Sequence, residues 1–380
     1  MDPDHRIRLL MLTNELVEGS EYGFRDEFER LLRTGDIDEY RAVAPRALAA
    51  AGGDWLSVAC EAAAETRANV LLVLSPGGLP ITPEQIGRLT RATSPIVLYW
   101  EGDPWGRRKP ITEPMRHWAA ASDVVFSVAG EPQLSAFHRA GASSTRLVLH
   151  TYCHVQFEDA ERQPPVSNRP ETDLVMVGSS VVRFGRLGLT PGAPSRAALV
   201  RRLQRLDRSL AVYGSGWRGR GARGKVAYRD QIDRIREARV SINWDHFPDH
   251  ACYASDRLPI SLLAGRVHVT TRHPGPSLVR TDGLIEVDNV EEAIETASGL
   301  LLRPWSELRE RGEAAWAYAR HRLSDREAAR YMLRVVDWRL PAPPADPWER
   351  LRMATTDRDR ITLQRRPGPM ARVAPDTSWQ

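Results

Sequence analysis

Four strand-to-loop junctions in this sequence carry residue types that could do chemistry. The longest is the run Val240 to Thr271. A short apolar stretch ends at Asn243, a polar loop runs from Asp245 to Ala254, and a helical pattern opens at Ser255-Asp256-Arg257-Leu258 and stops at Gly265. Strand, loop, helix, glycine, strand is the order of a β-α-β unit, in which ligands sit at the carboxyl ends of the strands against helix N-termini. Tyr253, Ser255, Asp256 and Arg257 fall at that spot, and a guanidinium fork matches a phosphate. Ser255 or Asp256 is the expected N-cap. A second junction, Val177-Gly178-Ser179-Ser180, is followed by Arg183 and Arg186. A Gly-Ser turn lets backbone N–H groups approach a phosphate, and the arginines can neutralise it. A third, Tyr213-Gly214-Ser215-Gly216-Trp217, has two glycines that permit close approach to a nucleotide and a Trp that can pack on a base or ribose. Each of the last two also reads as an ordinary tight turn.

The fourth junction is acidic. In Tyr99-Trp100-Glu101-Gly102-Asp103-Pro104-Trp105 two carboxylates follow a buried-strand pattern between tryptophans. Apolar walls raise a carboxyl pKa toward the range useful for an acid or base. The alternative is that either carboxylate only caps the turn before Pro104. Thr13-Asn14-Glu15 and Gly19 to Gly23 form a further loop between a strand and a helix. The histidines are scattered. His246 and His250 are four apart, but Pro248 between them argues against one helical face and so against a two-His zinc site. There is no Walker loop. The run Arg218 to Lys225 alternates Arg with Gly, which suits a nucleic-acid backbone, but it is short, isolated and joins a strand to a helix. A solvated loop is the better reading.

Positioning these groups requires two sets of alternating elements. In the first half strands are expected at 7–12, 69–75, 95–100, 123–128 and 146–150, with helices at 22–33, 55–67, 83–92, 113–121 and 131–140. A linker by composition, Gln163 to Pro170, follows. Strands are then expected at 173–177, 209–213, 239–243, 267–271 and 284–287, with helices at 196–206, 229–238, 256–264, 290–302, 306–320 and 325–338. The fold class is α/β, with two doubly wound domains facing each other across a cleft: 1–160, 170–338, and a tail 339–380 that docks partly on the first half and ends in a disordered stretch after about Thr355.

Length and composition agree. The 380 residues suffice for two cores, and 42% hydrophobic residues is ordinary for a globular protein. No apolar run reaches the length of a membrane span or a secretory signal, so a cytoplasmic protein is expected. Cys60, Cys153 and Cys252 are far apart and in no metal spacing, and are expected as reduced thiols. The net charge of +4 rests almost wholly on arginine, since Lys109 and Lys225 are the only lysines. That balance reflects either base composition of the gene or attraction to anionic ligands.

Ser255-Asp256-Arg257-Leu258 with Leu263-Ala264-Gly265 resembles the donor-binding segment of GT-B glycosyltransferases, and the group related to the spore-maturation protein CgeB most of all. The Gly-x-Gly-Trp turn at 214–217 is similar to one in that group. The resemblance spans 170 to 335 well and 5 to 155 loosely. It implies sugar transfer from a nucleotide-sugar donor (UDP, GDP or dTDP form open) to a small-molecule acceptor, with no cofactor and no bound metal. It implies that Gly178, Ser179, Arg183 and Arg257, with Arg186 in reserve, face the donor diphosphate. Asn243, Tyr253, Ser255 and the 214–217 turn line the donor site, Asp256 serves ribose or sugar hydroxyls, and Asp103, beside Glu101, serves the acceptor. One departure stands out. A Glu that often holds the donor ribose is replaced by Ile260. A retaining reaction, a secondary-metabolite acceptor, a monomer or homodimer, and no nucleic-acid partner are the corresponding expectations. Two rivals are a GT-B nucleotide-sugar epimerase and a non-catalytic binding protein of the same fold.

Overall fold

A computed structural model describes residues 7 to 354, apart from 92, 107–108, 166–167, 184–186 and 189. The first half is a six-stranded parallel sheet built from β1 (Arg8–Leu12), β2 (Glu39–Val43), β3 (Val70–Leu74), β4 (Ile96–Glu101), β5 (Val124–Ser127) and β6 (Thr145–Leu147), in the order β2-β1-β3-β4-β5-β6. The second half holds β7 (Thr172–Val177), a two-stranded hairpin of β8 (Val182–Arg183) and β9 (Leu187–Gly188), then β10 (Leu210–Tyr213), β11 (Ala222–Gly224), β12 (Ala238–Ile242), β13 (Val267–Thr271) and β14 (Leu284–Val287). Its main sheet is also parallel and ordered β11-β10-β7-β12-β13-β14. The central strands are covered on both faces, so every residue of β3, β12 and β13 is buried, wholly apolar in β3 and including Arg239, Ser241, His268, Thr270 and Thr271 in the other two.

Four strands go beyond the sequence expectation: β8 and β9, which form the short hairpin, and β2 and β11, which each lie at an edge of a main sheet. β2 alternates exposed and half-buried residues over Glu39-Tyr-Arg-Ala-Val43, because one edge faces water. β11 lies inside the Arg-Gly run and pairs with β10, placing Gly224 opposite Tyr213. A polar edge strand lacks the apolar run that marks a central one. The helix expected over 325–338 stops at Leu333, and a further helix spans Ala345–Ala354. The tail beyond 354, for which disorder is the expectation, lies outside the described residues.

The two halves are packed together by the return of the chain. One apolar cluster includes Phe28, Phe126 and Tyr152 of the first half with Ile260, Met332 and Trp348 of the second. The segment after β6 pairs with the turn between two late helices: Tyr152 N–H donates to Leu323 O at 3.1 Å, and Asp325 N–H donates to Tyr152 O at 3.1 Å. Buried Glu27 on the first helix accepts from Arg30 and, at 2.8 Å, from Arg330 Nε. His154 is buried between Asp325 and Asp26, with Nε2 at 2.9 Å from Asp26 Oδ2. Burial opposes charge on this imidazole, but the two carboxylates prevail and raise its pKa. Trp348 is 2% exposed, lies 5.2 Å ring to ring from Tyr331, and donates its indole N–H to Arg322 O at 2.9 Å.

Truncation of a buried Trp removes both transfer energy and packing. Trp348→Ala is therefore expected to cost about 3–5 kcal/mol, read as a lower urea midpoint. An unchanged midpoint would show that the docked tail adds nothing to stability.

Candidate functional site

Both sheets reverse their winding order once: between β1 and β3 in the first, and between β7 and β12 in the second. Ligands of doubly wound folds bind at such switch points, outside the carboxyl ends of the strands. At the second one, Gly178 follows β7 and Asn243 follows β12. At the first, a recess lined in part by Leu12, Asn14, Arg46, Trp55, Leu74 and Trp118 opens beside the end of β1.

The decisive residue at the β7/β12 switch point is one that the motifs do not single out. Arg196, on the helix Ala193–Leu203, is 0% exposed. Its Nε donates to Trp244 O at 2.6 Å, Nη1 to Ser179 O at 3.0 Å and His246 Nε2 at 2.7 Å, and Nη2 to Asn243 Oδ1 at 2.9 Å. All four acceptors are neutral. Burial, and then repulsion from Arg257, lower its pKa to about 9, so at neutral pH it is still a cation. Arg257 opens the helix Arg257–Leu263 beside it. A Cβ built at Gly178 would lie 2.9 Å from Arg196 Nη1 and 3.1 Å from Arg257 Nε. Gly178 itself has φ +152°, so both its backbone and its lack of a side chain leave room between two guanidinia. Arg257 Nε is buried with no hydrogen-bond partner, while its Nη1 bonds Asp256 Oδ1 at 3.1 Å.

The surrounding groups hold this pair in place. His246 is pushed down to about 3 by burial and by the charges of Arg196 and Arg257, so it is neutral. Since Nε2 accepts from Arg196, the ring proton is on Nδ1, 3.3 Å from Thr190 Oγ1. Asp245 is buried at 1% exposure and accepts from Asn243 Nδ2 at 2.9 Å and Ser255 Oγ at 2.7 Å, with His273 Nε2 at 3.0 Å. Burial alone would raise its pKa, but these partners and Arg196 hold it far below the carboxylate range. Gly192 is obligatory at the helix start because a Cβ there would meet Asp245 O at 2.0 Å.

Several expected residues have other duties. Ser255 does not cap the helix, since its hydroxyl is spent on Asp245, and Asp256 is in helical conformation with no capping bond. The 214–217 turn braces the 178–180 loop. Trp217 Nε1 donates to Gly178 O at 2.6 Å, Ser215 N–H to Ser179 Oγ at 3.2 Å, and a Cβ at Gly214 would meet Gly178 O at 2.4 Å. A Cβ at Gly216 would meet Ser180 Oγ at 2.4 Å. Ile260 is fully buried in the core. In the Arg-Gly run, Arg220 caps the end of the preceding helix, its Nη1 donating to Leu206 O at 2.7 Å and its Nη2 to Arg208 O. Arg183 lies on β8, and Arg186 is outside the described residues. Among the described residues, no group of three or more His, Cys, Asp or Glu is placed to hold a metal ion.

On the facing side, Glu101 and Asp103 divide into a buried and an exposed carboxyl. Glu101 is 1% exposed and accepts from Tyr99 Oη at 2.7 Å, Asp103 N at 3.0 Å and Ser75 Oγ at 3.4 Å. Burial pushes its pKa up from 4.5 to about 7. Asp103 is exposed, with Lys109 Nζ at 3.4 Å. Its loop is held by Gln133, whose Nε2 donates to Asp103 O at 3.0 Å and whose Oε1 accepts from Trp105 N at 2.7 Å. The loop also touches the second domain: His250 Nε2 donates to Trp105 O at 2.6 Å. Beside it Gly130 N–H donates to Ala251 O at 2.8 Å, and Ala251 N–H to Glu131 O at 2.9 Å. The loops that carry Asp103 and Asp245 therefore meet across the domain boundary.

No protein-family model matches the chain, and no curated protein matches it. Among solved structures it is similar to the DNA-modifying enzyme β-glucosyltransferase, solved in the presence and absence of uridine diphosphoglucose. The TM-score is 0.51 at 9% identity over 87% of this chain and 99% of that one. T4 phage BGT in complex with UDP and Mn2+ gives a TM-score of 0.50 at 10% identity over the same shares, 87% and 99%. The fold is GT-B. The arginine pair is thus in the second GT-B domain and the two carboxyls are in the first, across the interdomain cleft. No helix among the described residues is long and apolar enough to cross a membrane.

Glu101 generates a prediction. Its folded pKa lies above its unfolded one, so the folded state holds the extra proton between 4.5 and about 7. Stability relative to Glu101→Gln should fall as pH rises through that window, by an amount on the order of a few kcal/mol. Urea melts of both proteins at pH 5 and pH 8 measure it. A constant difference would mean that Glu101 titrates as an ordinary surface carboxylate.

Proposed function

We propose that this chain is a glycosyltransferase of the CgeB-related group, moving a sugar from a nucleotide-sugar donor to a small-molecule acceptor, without a metal and with retention. The observation that carries the reading is the Arg196–Arg257 pair on either side of Gly178. Arg196 is buried and Arg257 half-buried beside it with an unpartnered Nε–H, so the two cations repel each other and an anion entering between them relieves that repulsion. A donor diphosphate brings that anion. It would lie against the Gly178 and Ser179 backbone, with Arg257 donating from Nε and Arg183, five residues past Gly178 in the sequence, as the further cation.

In the reaction, the bond between the anomeric carbon and the diphosphate oxygen breaks, and the acceptor oxygen forms the new one on the face the diphosphate leaves, so the configuration is retained. Charge builds on the leaving diphosphate, and fixed guanidinia and backbone N–H groups stabilise it without reorganising. Asp103, exposed on a loop fixed by Gln133 and Glu101, takes the acceptor hydroxyl proton. Asp256 serves ribose or sugar hydroxyls in place of the Glu absent at Ile260. The interdomain hydrogen bonds of His250 and Ala251 keep water out, which limits hydrolysis of the donor. Retention and membership of the CgeB-related group rest on the Ser255–Gly265 segment. The small acceptor rests on the engagement of Arg220 within its own domain, which leaves the Arg-Gly run poorly suited to a polymer backbone.

A melting panel of UDP, GDP and dTDP, with UDP first because a structure of similar fold was solved with it, tests the donor site. One nucleotide should raise the melting temperature in the presence of EDTA, and Arg257→Ala should weaken its binding at least 10-fold, as expected for losing a charge-assisted contact. No response to any nucleotide from the folded protein would rule the transferase out. With the donor known, Asp103→Asn should keep donor affinity and lower turnover about 10²-fold or more. Undiminished turnover would remove Asp103 from the chemistry.

A further inference from the structure

Among the described histidines that are not exposed, one stands apart. His154, His246, His250, His268 and His273 each have a ring nitrogen engaged by a neighbouring side chain or carbonyl. His150 has none: its ring makes no hydrogen bond among the described residues. It follows the buried Val148 and Leu149 at the end of the first domain's last strand, so its backbone is fixed. Its ring stands edge to face with that of Tyr253 from the second domain, centroids 6.3 Å apart at 68°. Tyr253 packs in turn on His273 at 5.2 Å and 88°. The Tyr253 ring is 5% exposed, and its hydroxyl also has no hydrogen-bond partner among the described residues.

The charged groups around His150 are Asp256, Asp103, Arg257 and Asp245, the first three being the proposed hydroxyl, acceptor and diphosphate residues. The transferred sugar must lie between the diphosphate and the acceptor, and that is the neighbourhood of His150. Burial disfavours the charged imidazole, so the ring is neutral, with one donor and one acceptor nitrogen. A sugar hydroxyl also donates and accepts. A phosphate only accepts at neutral pH, and an imidazole is a poorer partner for it than Arg257.

We infer that His150 and the Tyr253 hydroxyl, one from each domain, form a hydrogen-bonding pair for the hydroxyls of the transferred sugar. His150 is then a residue that distinguishes a nucleotide-sugar from the bare nucleotide. The inference rests on the donor reading above and adds to it the site of the sugar itself.

The experiment is calorimetry with matched probes: UDP and UDP-glucose, GDP and GDP-mannose, dTDP and dTDP-glucose. For the pair that wild-type protein binds, His150→Ala should leave the diphosphate affinity within about 2-fold and weaken the nucleotide-sugar by about 5-fold or more, the loss of one or two neutral hydrogen bonds. Tyr253→Phe removes only an oxygen and should reproduce the selective loss. It serves as the second variant if His150→Ala melts early, and His150→Asn should restore part of the sugar affinity. Equal weakening of both probes, or no weakening of either, overturns the inference while the donor site stands. Failure of the wild type to bind any diphosphate overturns the donor reading and this inference together.

Discussion

The interaction on which the rest of this structure depends is a buried guanidinium with no carboxylate of its own. Arg196 has four neutral acceptors and a second cation beside it. A buried charge is tolerated when it is paired or hydrogen-bonded, and here four of the five guanidinium N–H groups are bonded while no carboxylate pairs it. Everything close by serves to supply those acceptors: the carbonyls of Ser179 and Trp244, the amide of Asn243 oriented by Asp245, and the neutral ring of His246. The nearest negative charge, Asp245, is one residue removed and already shared among Ser255, Asn243 and His273. What is left over is positive potential at Gly178, at the point where the sheet changes winding direction.

That potential is coupled to the other domain by short connections. The loop that orients Asn243, Asp245 and His246 continues to His250 and Ala251, which bond to the loops carrying Trp105 and Glu131. A ligand that shifts His246 through Arg196 therefore acts four residues from a bond to the Asp103 loop. On the first-domain side, Glu101 anchors that loop by accepting from the Asp103 N–H, and Gln133 grips it from both ends. The exposed carboxyl of Asp103 and the buried carboxyl of Glu101 are two residues apart at one strand end.

Much of this was legible in the sequence, and the reasons for the remainder are physical. The apolar runs of β3, β4 and β7 are unmistakable because these central strands are buried on both faces. β2 and β11 are polar edges and carry no such run. Gly178 and Asp103 are singled out in the sequence by their places just past strands, and Arg257 by its place at a helix start. Arg196 does not, because it sits mid-sequence in a helix whose other arginines are surface residues, and only the fold turns it inward. The spacing of Gly192 before it was the available signal. Trp217 and Gly214 were legible as belonging to the site but not as braces of the Gly178 loop, since that role exists only once β7 and β10 are neighbours. His150 gave no signal at all. A lone histidine after a strand is usually structural, and only the absence of partners in three dimensions sets it apart.

The central claim is that Gly178, between two guanidinia, is a diphosphate site. The most direct measurement is a crystal structure of the protein with UDP, or with whichever nucleoside diphosphate raises its melting temperature most. The account predicts the β-phosphate within hydrogen-bond distance of Arg257 Nε and of the Gly178–Ser179 backbone, with the first domain's Asp103 loop facing it. A nucleotide bound elsewhere, with Arg257 Nε still unpartnered, would contradict it.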